Sequence, residues 1–231
     1  MAKPVLLVHG AFLGAWAWQE VIEALEAQGV EASAVDLTCR TPEGSLAGDA
    51  TLVRGALASL GQPAVLVGQS YGGMVITEAS AGNDDVAHLV YVCAALPVEG
   101  EHVGSLLATD PHPTTLGEGI RMIGEGPMAT LDPETARSVP GHDVPEAVMD
   151  EKLPLTGEHN MAVFEQEATG FGWREHPSTY VVTTQDTVFS PDLQRTMAAR
   201  ATRSVDIATS HFPMFSRPAE LAAIIAEAAA D

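Results

Sequence analysis

The chain has 231 residues, with 11 Lys and Arg against 31 Asp and Glu, for a net charge of −20. That length suits one large core, or one core with an inserted segment, better than two independent cores, and a hydrophobic fraction of 46% belongs to a globular chain. So acidic a protein, with its basic residues thinly scattered, repels phosphate backbones and anionic lipid, which argues against nucleic acid and membrane surfaces as partners; no apolar run approaches the roughly 20 residues of a membrane span.

Short β-branched runs alternate with helical patterns. Pro4 to His9 reads as a strand buried on both faces and ended by Gly10. Ala15 to Gln28 carries Trp18, Val21, Ile22 and Leu25 at helical spacing before Gly29 stops it. Val30 to Leu37 is a second strand, Thr41 to Gly48 a loop, and Asp49 a candidate N-cap for a helix through Leu60. After the Gly61-Gln62-Pro63 break come a strand over Ala64 to Gly68, a helix over Tyr71 to Ala81 and a strand over Ala87 to Ala94. This rhythm predicts βαβ crossovers and a mainly parallel, doubly wound α/β sheet. It fails over 97–176, a stretch rich in Pro and Gly with amphipathic pieces at Val144 to Leu153 and Glu158 to Thr169. So long a segment is not a simple loop and reads as an inserted helical lid. The rhythm returns with a strand over Ser178 to Thr184, a helix from Ser190-Pro191 through Arg200, a strand over Arg203 to Ala208 and a helix over Pro218 to Ala230. The expected organisation is therefore a core of 1–96 and 177–231 with the lid between.

Cys39 and Cys93 belong to no metal-ligand or disulfide-dense pattern, and Cys93 lies in the apolar run Leu89 to Cys93, as a buried inert thiol would. The start of the chain enters a strand almost at once with no signal-peptide pattern, which makes a cytoplasmic location the expectation. The histidines show no ligand spacing such as H-x-x-x-H, so no metal is expected.

Gly68-Gln69-Ser70-Tyr71-Gly72 is a G-x-S-x-G sequence between a strand and a helix, the context of a nucleophile elbow that exposes the Ser70 hydroxyl at the carboxyl end of the sheet. A serine needs a base within hydrogen-bond reach. Of the eight histidines, His211 directly follows the last strand and is the candidate; His102, His112, His142, His159 and His176 fall in or beside the lid, where exposed or locally bonded roles are expected. The acid should also follow a strand, and Asp186 does; Asp192 sits in a first helical turn and Asp206 inside a strand, pointing outward. An oxyanion hole needs the N–H of Tyr71 and a second donor from the loop His9 to Gly14, Ala11 first and Phe12 in reserve, with Phe12 also facing substrate. That loop has neither the phosphate-loop ending nor the spacing of a dinucleotide site.

Val5 to Trp18, Gly68 to Gly73, Thr183 to Asp186 and Ser210 to Met214 together resemble the α/β-hydrolase superfamily, and within it the plant methylesterases, hydroxynitrile lyases and their bacterial relatives. The resemblance implies a Ser70–His211–Asp186 triad, an Ala11 and Tyr71 oxyanion hole, a small-molecule ester substrate and no cofactor. Gln69 replaces the His often found before the nucleophile, and Ser210 the Gly often found before the catalytic His. The lyases carry a Lys directly after that His and a Thr after the first-strand His, where this chain has Phe212 and Gly10. The expected activity is hydrolysis of a small ester through a Ser70 acyl-enzyme. Met122, Met128, Met149 and Met161, with Phe164, Phe171 and Trp173, are candidates to line an apolar pocket. A lyase or cyclase of secondary metabolism, and a ligand-binding receptor on the same scaffold, are the rival readings.

Overall fold

Successive residues of the strands point to opposite faces, and each face buries its own apolar cluster. Leu6, Val8, Leu66, Leu89, Tyr91, Tyr180 and Val182 go to one side, and Val5, Leu7, Val65, Val67, Val90, Val92 and Val181 to the other. A computed structural model describes residues 2–230. Its main sheet has six parallel strands: β1 (Val5–Val8), β2 (Ala32–Val35), β3 (Ala64–Gln69), β4 (Val86–Val92), β8 (Ser178–Thr183) and β9 (Arg203–Ile207), in the order β2-β1-β3-β4-β8-β9. Helices α2 (Leu46–Leu60), α3 (Gly72–Ser80) and α7 (Pro191–Ala198) cover the first face. Helices α1 (Gln19–Glu26), α8 (Pro213–Ser216) and α9 (Pro218–Ala230) cover the second. Strand order reverses between β1 and β3, so their carboxyl ends open the crevice where ligands of such sheets bind.

The ends of several elements differ from the sequence reading. The expected helix from Ala15 begins as a 3₁₀ turn over Ala15–Trp18, and α8 is an extra single turn after Phe212. Asp49 is not the N-cap of α2. Ser45 is, its hydroxyl accepting from the Gly48 N–H at 3.1 Å, while Asp49 is buried inside the first turn and bonded elsewhere. Composition marked the polar Asp49 as a cap, and only its tertiary partners explain its burial.

Segment 97–176 contains short helices α4 (Val103–Ala108), α5 (Pro133–Ser138) and α6 (Glu146–Lys152). It also contains a three-stranded antiparallel sheet of β5 (Ile120–Met122), β6 (Met128–Leu131) and β7 (His159–Asn160). Strands of two to four residues are too short to show a period of two, so the sequence reading registered only helical pieces. The segment packs into both faces of the core: Val103, Leu106 and Val163 join one cluster, and Val144 and Met149 the other.

Candidate active site

Strand β3 delivers Ser70 on a tight turn. Its φ is +54°, a left-handed value unfavourable for a non-glycine residue, and the turn survives because its backbone is tied on both sides. The Ser70 N–H donates to the Val92 carbonyl at 3.2 Å, and the Ser70 carbonyl accepts from Gly73 and Ala95, both at 3.0 Å. A side chain at Gly68 would meet the Gly72 carbonyl at 2.5 Å, so the turn needs a glycine there.

Asp186 lies three residues past β8 and is almost fully buried. Its Oδ1 accepts from the Val188 and Phe189 N–H groups at 2.7 and 3.2 Å. Its Oδ2 accepts from Thr183 Oγ1 at 2.9 Å, from Gln194 Nε2 at 3.0 Å and from His211 Nδ1 at 2.7 Å. The bond to His211 sets the ring's orientation and leaves Nε2 as the nitrogen able to accept a proton. Burial works to lower the His211 pKa, but the adjacent Asp186 carboxylate outweighs it and raises the value above that of an ordinary imidazole. Asp192 pairs with His112 at 3.0 Å and Asp206 with Arg195 at 2.8 Å, both on the surface, so neither competes for His211.

Two positioning residues escaped the sequence reading. Gln194, on α7, holds the acid and also accepts from the Thr183 N–H at 2.9 Å; a polar residue on the buried side of that helix was the available signal. Gln69 donates to the His211 carbonyl at 3.0 Å and so ties the strand before Ser70 to the His211 loop. Ser210 ties that loop to the inserted segment, through the Pro140 carbonyl at 2.7 Å and through Asp143. The two departures from the family pattern thus brace the loop that carries His211.

The loop after β1 passes close to Ser70: a Cβ at Gly10 would lie 2.8 Å from that of Ser70. His9 fixes this loop, with Nδ1–H donating to the Gly10 carbonyl at 2.8 Å and Nε2 accepting from the Leu37 N–H at 3.1 Å. Burial lowers its pKa, which keeps the ring neutral as this pattern requires. Phe12 has φ +63° and its carbonyl accepts from the Gly157 N–H at 2.9 Å, so the inserted segment also grips this loop. Tyr71 stands immediately before α3, where the backbone N–H groups of a helix start lack an intrahelical acceptor.

Ser70, His211, Ala11 and Phe12 border one cavity. The inserted segment supplies Val103, Leu107, Leu116, Leu131, Pro140 and Phe164 to its wall, and the core adds Val188, Phe189 and Phe212. Of the seven lid residues expected there, only Phe164 lines it. Met122 is 57% exposed, Met128 and Met149 are buried away from the cavity, and Phe171 and Trp173 carry Arg174 over their rings. Leucine and valine from the short helices and strands do the lining that methionine was expected to do. His112 and His142 are exposed as expected, and His102 and His176 are half-buried. His142 bonds locally to Val139, whereas His102 bonds Phe164, His112 Asp192 and His176 Ser80, all distant in sequence. His159 departs from expectation. It is fully buried, and among the described residues neither ring nitrogen has a hydrogen-bond partner.

The α/β-hydrolase family's sequence profile matches residues 5–224, and the chain belongs to that family. It is 30% identical to the alpha/beta hydrolase nvfD of Aspergillus novofumigatus, over 100% of this chain and 98% of that one. It is 29% identical to esterase PIR7B of Oryza sativa subsp. japonica, over 96% and 94% of the two chains. A pyrethroid hydrolase from Sphingobium faniae superposes with a TM-score of 0.85 at 25% identity, covering 100% of this chain and 98% of its own. Plant methylesterases are also among its relatives. The parallel sheet with flanking helices is the fold these proteins share.

Proposed function

We propose that this hydrolase is a serine esterase that cleaves a small, neutral, apolar carboxylic ester through an acyl-enzyme on Ser70. The observation that carries the reading is the convergence of Ser70, on its left-handed turn, and of His211, held by Asp186, at one cavity whose other lining side chains are apolar. Esterase relatives support ester hydrolysis as the reaction type.

In this mechanism His211 Nε2 takes the Ser70 proton as Oγ attacks the ester carbonyl. The N–H groups of Tyr71 and Ala11 receive the oxyanion. The imidazolium, stabilised by Asp186, protonates the leaving alcohol, and His211 then activates water to release the acid. The aliphatic and aromatic wall holds the acyl or alcohol chain by burial alone, which favours neutral substrates over charged ones, since an ion would lose its hydration there without a partner.

A lyase acting on cyanohydrins would need a cation to receive the departing cyanide. The residue after His211 is the apolar Phe212, and Lys152 is buried in an ion pair with Glu20 and Glu151. Mandelonitrile at about pH 5 should therefore release benzaldehyde no faster than background.

The test is a fluorophosphonate probe with the adduct mapped by mass spectrometry, followed by a panel of p-nitrophenyl esters. Labelling at Ser70 with turnover of short neutral esters is expected. Labelling without turnover would favour the receptor reading, and no labelling would remove the acyl-enzyme.

A further inference from the structure

A buried polar cluster behind the oxyanion loop takes no part in the steps above. Asp49, fully buried in the first turn of α2, accepts four hydrogen bonds. Three reach Oδ1: from the Thr38 N–H at 2.6 Å, Thr38 Oγ1 at 2.7 Å and the Cys39 N–H at 3.1 Å. They hold the turn over residues 38–40. The fourth comes from the Tyr71 hydroxyl to Oδ2 at 2.8 Å. A carboxylate taken out of water is stable only when so compensated, and the Tyr71 bond is one the turn does not require.

His159 meets the same ring from the other side. It comes from β7 in the inserted segment and lies edge-on to Tyr71, with ring centroids 5.4 Å apart. It also faces Phe12 at 5.4 Å. His159 is thus wedged between the side chains of the two segments expected to donate to the oxyanion. Burial without a partner holds its pKa down at about 3, so the ring is a neutral spacer.

We propose that Asp49 and His159 are positioning residues that clamp the Tyr71 side chain and so aim its backbone N–H at the oxyanion. The side chain and the amide share one Cα, and Tyr71 stands where the strained turn at Ser70 enters α3. With the ring anchored at its hydroxyl and braced on its edge, the peptide between Ser70 and Tyr71 has little freedom to rotate. A preorganised donor of this kind acts on the transition state more than on the bound ester. This inference rests on the acyl-enzyme reading.

The decisive variant is Tyr71→Phe, which removes only the hydroxyl and leaves the three Asp49 bonds to the 38–40 turn intact. Rates are measured with p-nitrophenyl butyrate per site labelled by fluorophosphonate, so any unfolded fraction drops out. The inhibition constant is measured in parallel for a butyl trifluoromethyl ketone, whose serine adduct carries the oxyanion. The expected result is a kcat lower by about tenfold or more, less than the loss from deleting a donor outright, with KM within about twofold. The ketone should weaken by the same factor as kcat/KM. Asp49→Ala should cost a similar amount, and the double variant little more than either alone, because the pair acts as one unit. Unchanged kcat and unchanged ketone affinity in Tyr71→Phe, or a rise in KM at constant kcat, would overturn the positioning role. Failure of wild-type Ser70 to label would instead remove the acyl-enzyme, and this inference with it.

Discussion

The parallel core and the inserted segment meet at the cavity but are built by different means. In the core, side-chain alternation on β1, β3, β4 and β8 divides the buried residues cleanly between the two faces. The reactive end then follows from backbone constraints, chiefly the left-handed Ser70 and the glycines around it. The inserted segment has strands of two to four residues and helices of six or seven, and it contributes side chains to the two core clusters. It is joined to the catalytic loops by a few polar links: Ser210 to Pro140, Thr187 to the Val139 carbonyl at 3.0 Å, and Asp110 to the Ser190 N–H at 2.8 Å. The difference teaches that the candidate reactive groups and much of the cavity wall sit on separate supports, although the inserted segment also braces the loops of the core. The core places Ser70, Asp186 and His211, while the inserted segment supplies much of the cavity wall beside them.

If so, the largest effects come from breaking the core side. Ser70→Ala should lower turnover of short activated esters by about 10⁶ while the thermal transition persists, because the nucleophile is lost and only binding and oxyanion contacts remain. A near wild-type rate in the folded variant would show that another group attacks.

Asp186→Asn should come next, with a loss on the order of 10⁴, as expected when the carboxylate that orients the imidazole becomes an amide. The same change tests the pH profile. His211 must be neutral to act as base, and Asp186 raises its pKa, so kcat/KM in the wild type should climb with pH through an apparent pKa above about 6.5. Removing the carboxylate charge should move that limb to lower pH. A limb that stays in place would assign it to another group.

The wedge residue His159 joins the two regions, and its effect should appear in stability. Its folded pKa of about 3 lies below the unfolded value near 6.5, so its contribution is complete above pH 6.5 and is lost as pH falls toward 3. Each pH unit below 6.5 removes about 1.4 kcal/mol, or about 2 kcal/mol by pH 5. His9 is shifted in the same direction and adds to the trend, whereas His211 is raised, so its contribution changes above pH 6.5 rather than below. Urea titrations at pH 6.5 and 5 should show His159→Phe losing about 2 kcal/mol less than the wild type over that interval. Equal losses would place His159 in contact with water.

The smallest effect should come from the inserted wall. Leu131→Ala should change the ratio of kcat/KM for hexanoate over acetate esters by about tenfold, the scale of a few methylenes in an apolar pocket. The rate of fluorophosphonate labelling should hardly change. Slowed labelling would mean that the inserted segment also supports the nucleophile.

Much of this site was legible in the chain because its groups announce themselves through local pattern. G-x-S-x-G between an apolar run and a helix, Asp186 after a strand and His211 after the last one need only the βα rhythm to be placed at one edge. The same rhythm yielded the parallel sheet, and period-two alternation accounts for its two buried faces. Asp49 and His159 could not be read this way. Asp49 carries the local signature of a helix cap, and only the folding of α2 against the nucleophile turn brings Tyr71 to it. His159 lies at the start of the amphipathic piece Glu158 to Thr169, whose pattern names no partner, and its burial depends on Phe12 and Tyr71, far away in sequence. Which side chains line the cavity was likewise decided by packing, since helices under two turns and strands of two to four residues carry too little amphipathic signal to show which way they face. The sequence alone singled out Ser70, His211 and Asp186 as candidates, because chemical capacity belongs to residue type and local turn geometry. Tertiary structure decided what holds them in place, because positioning is a contact between residues the chain keeps apart.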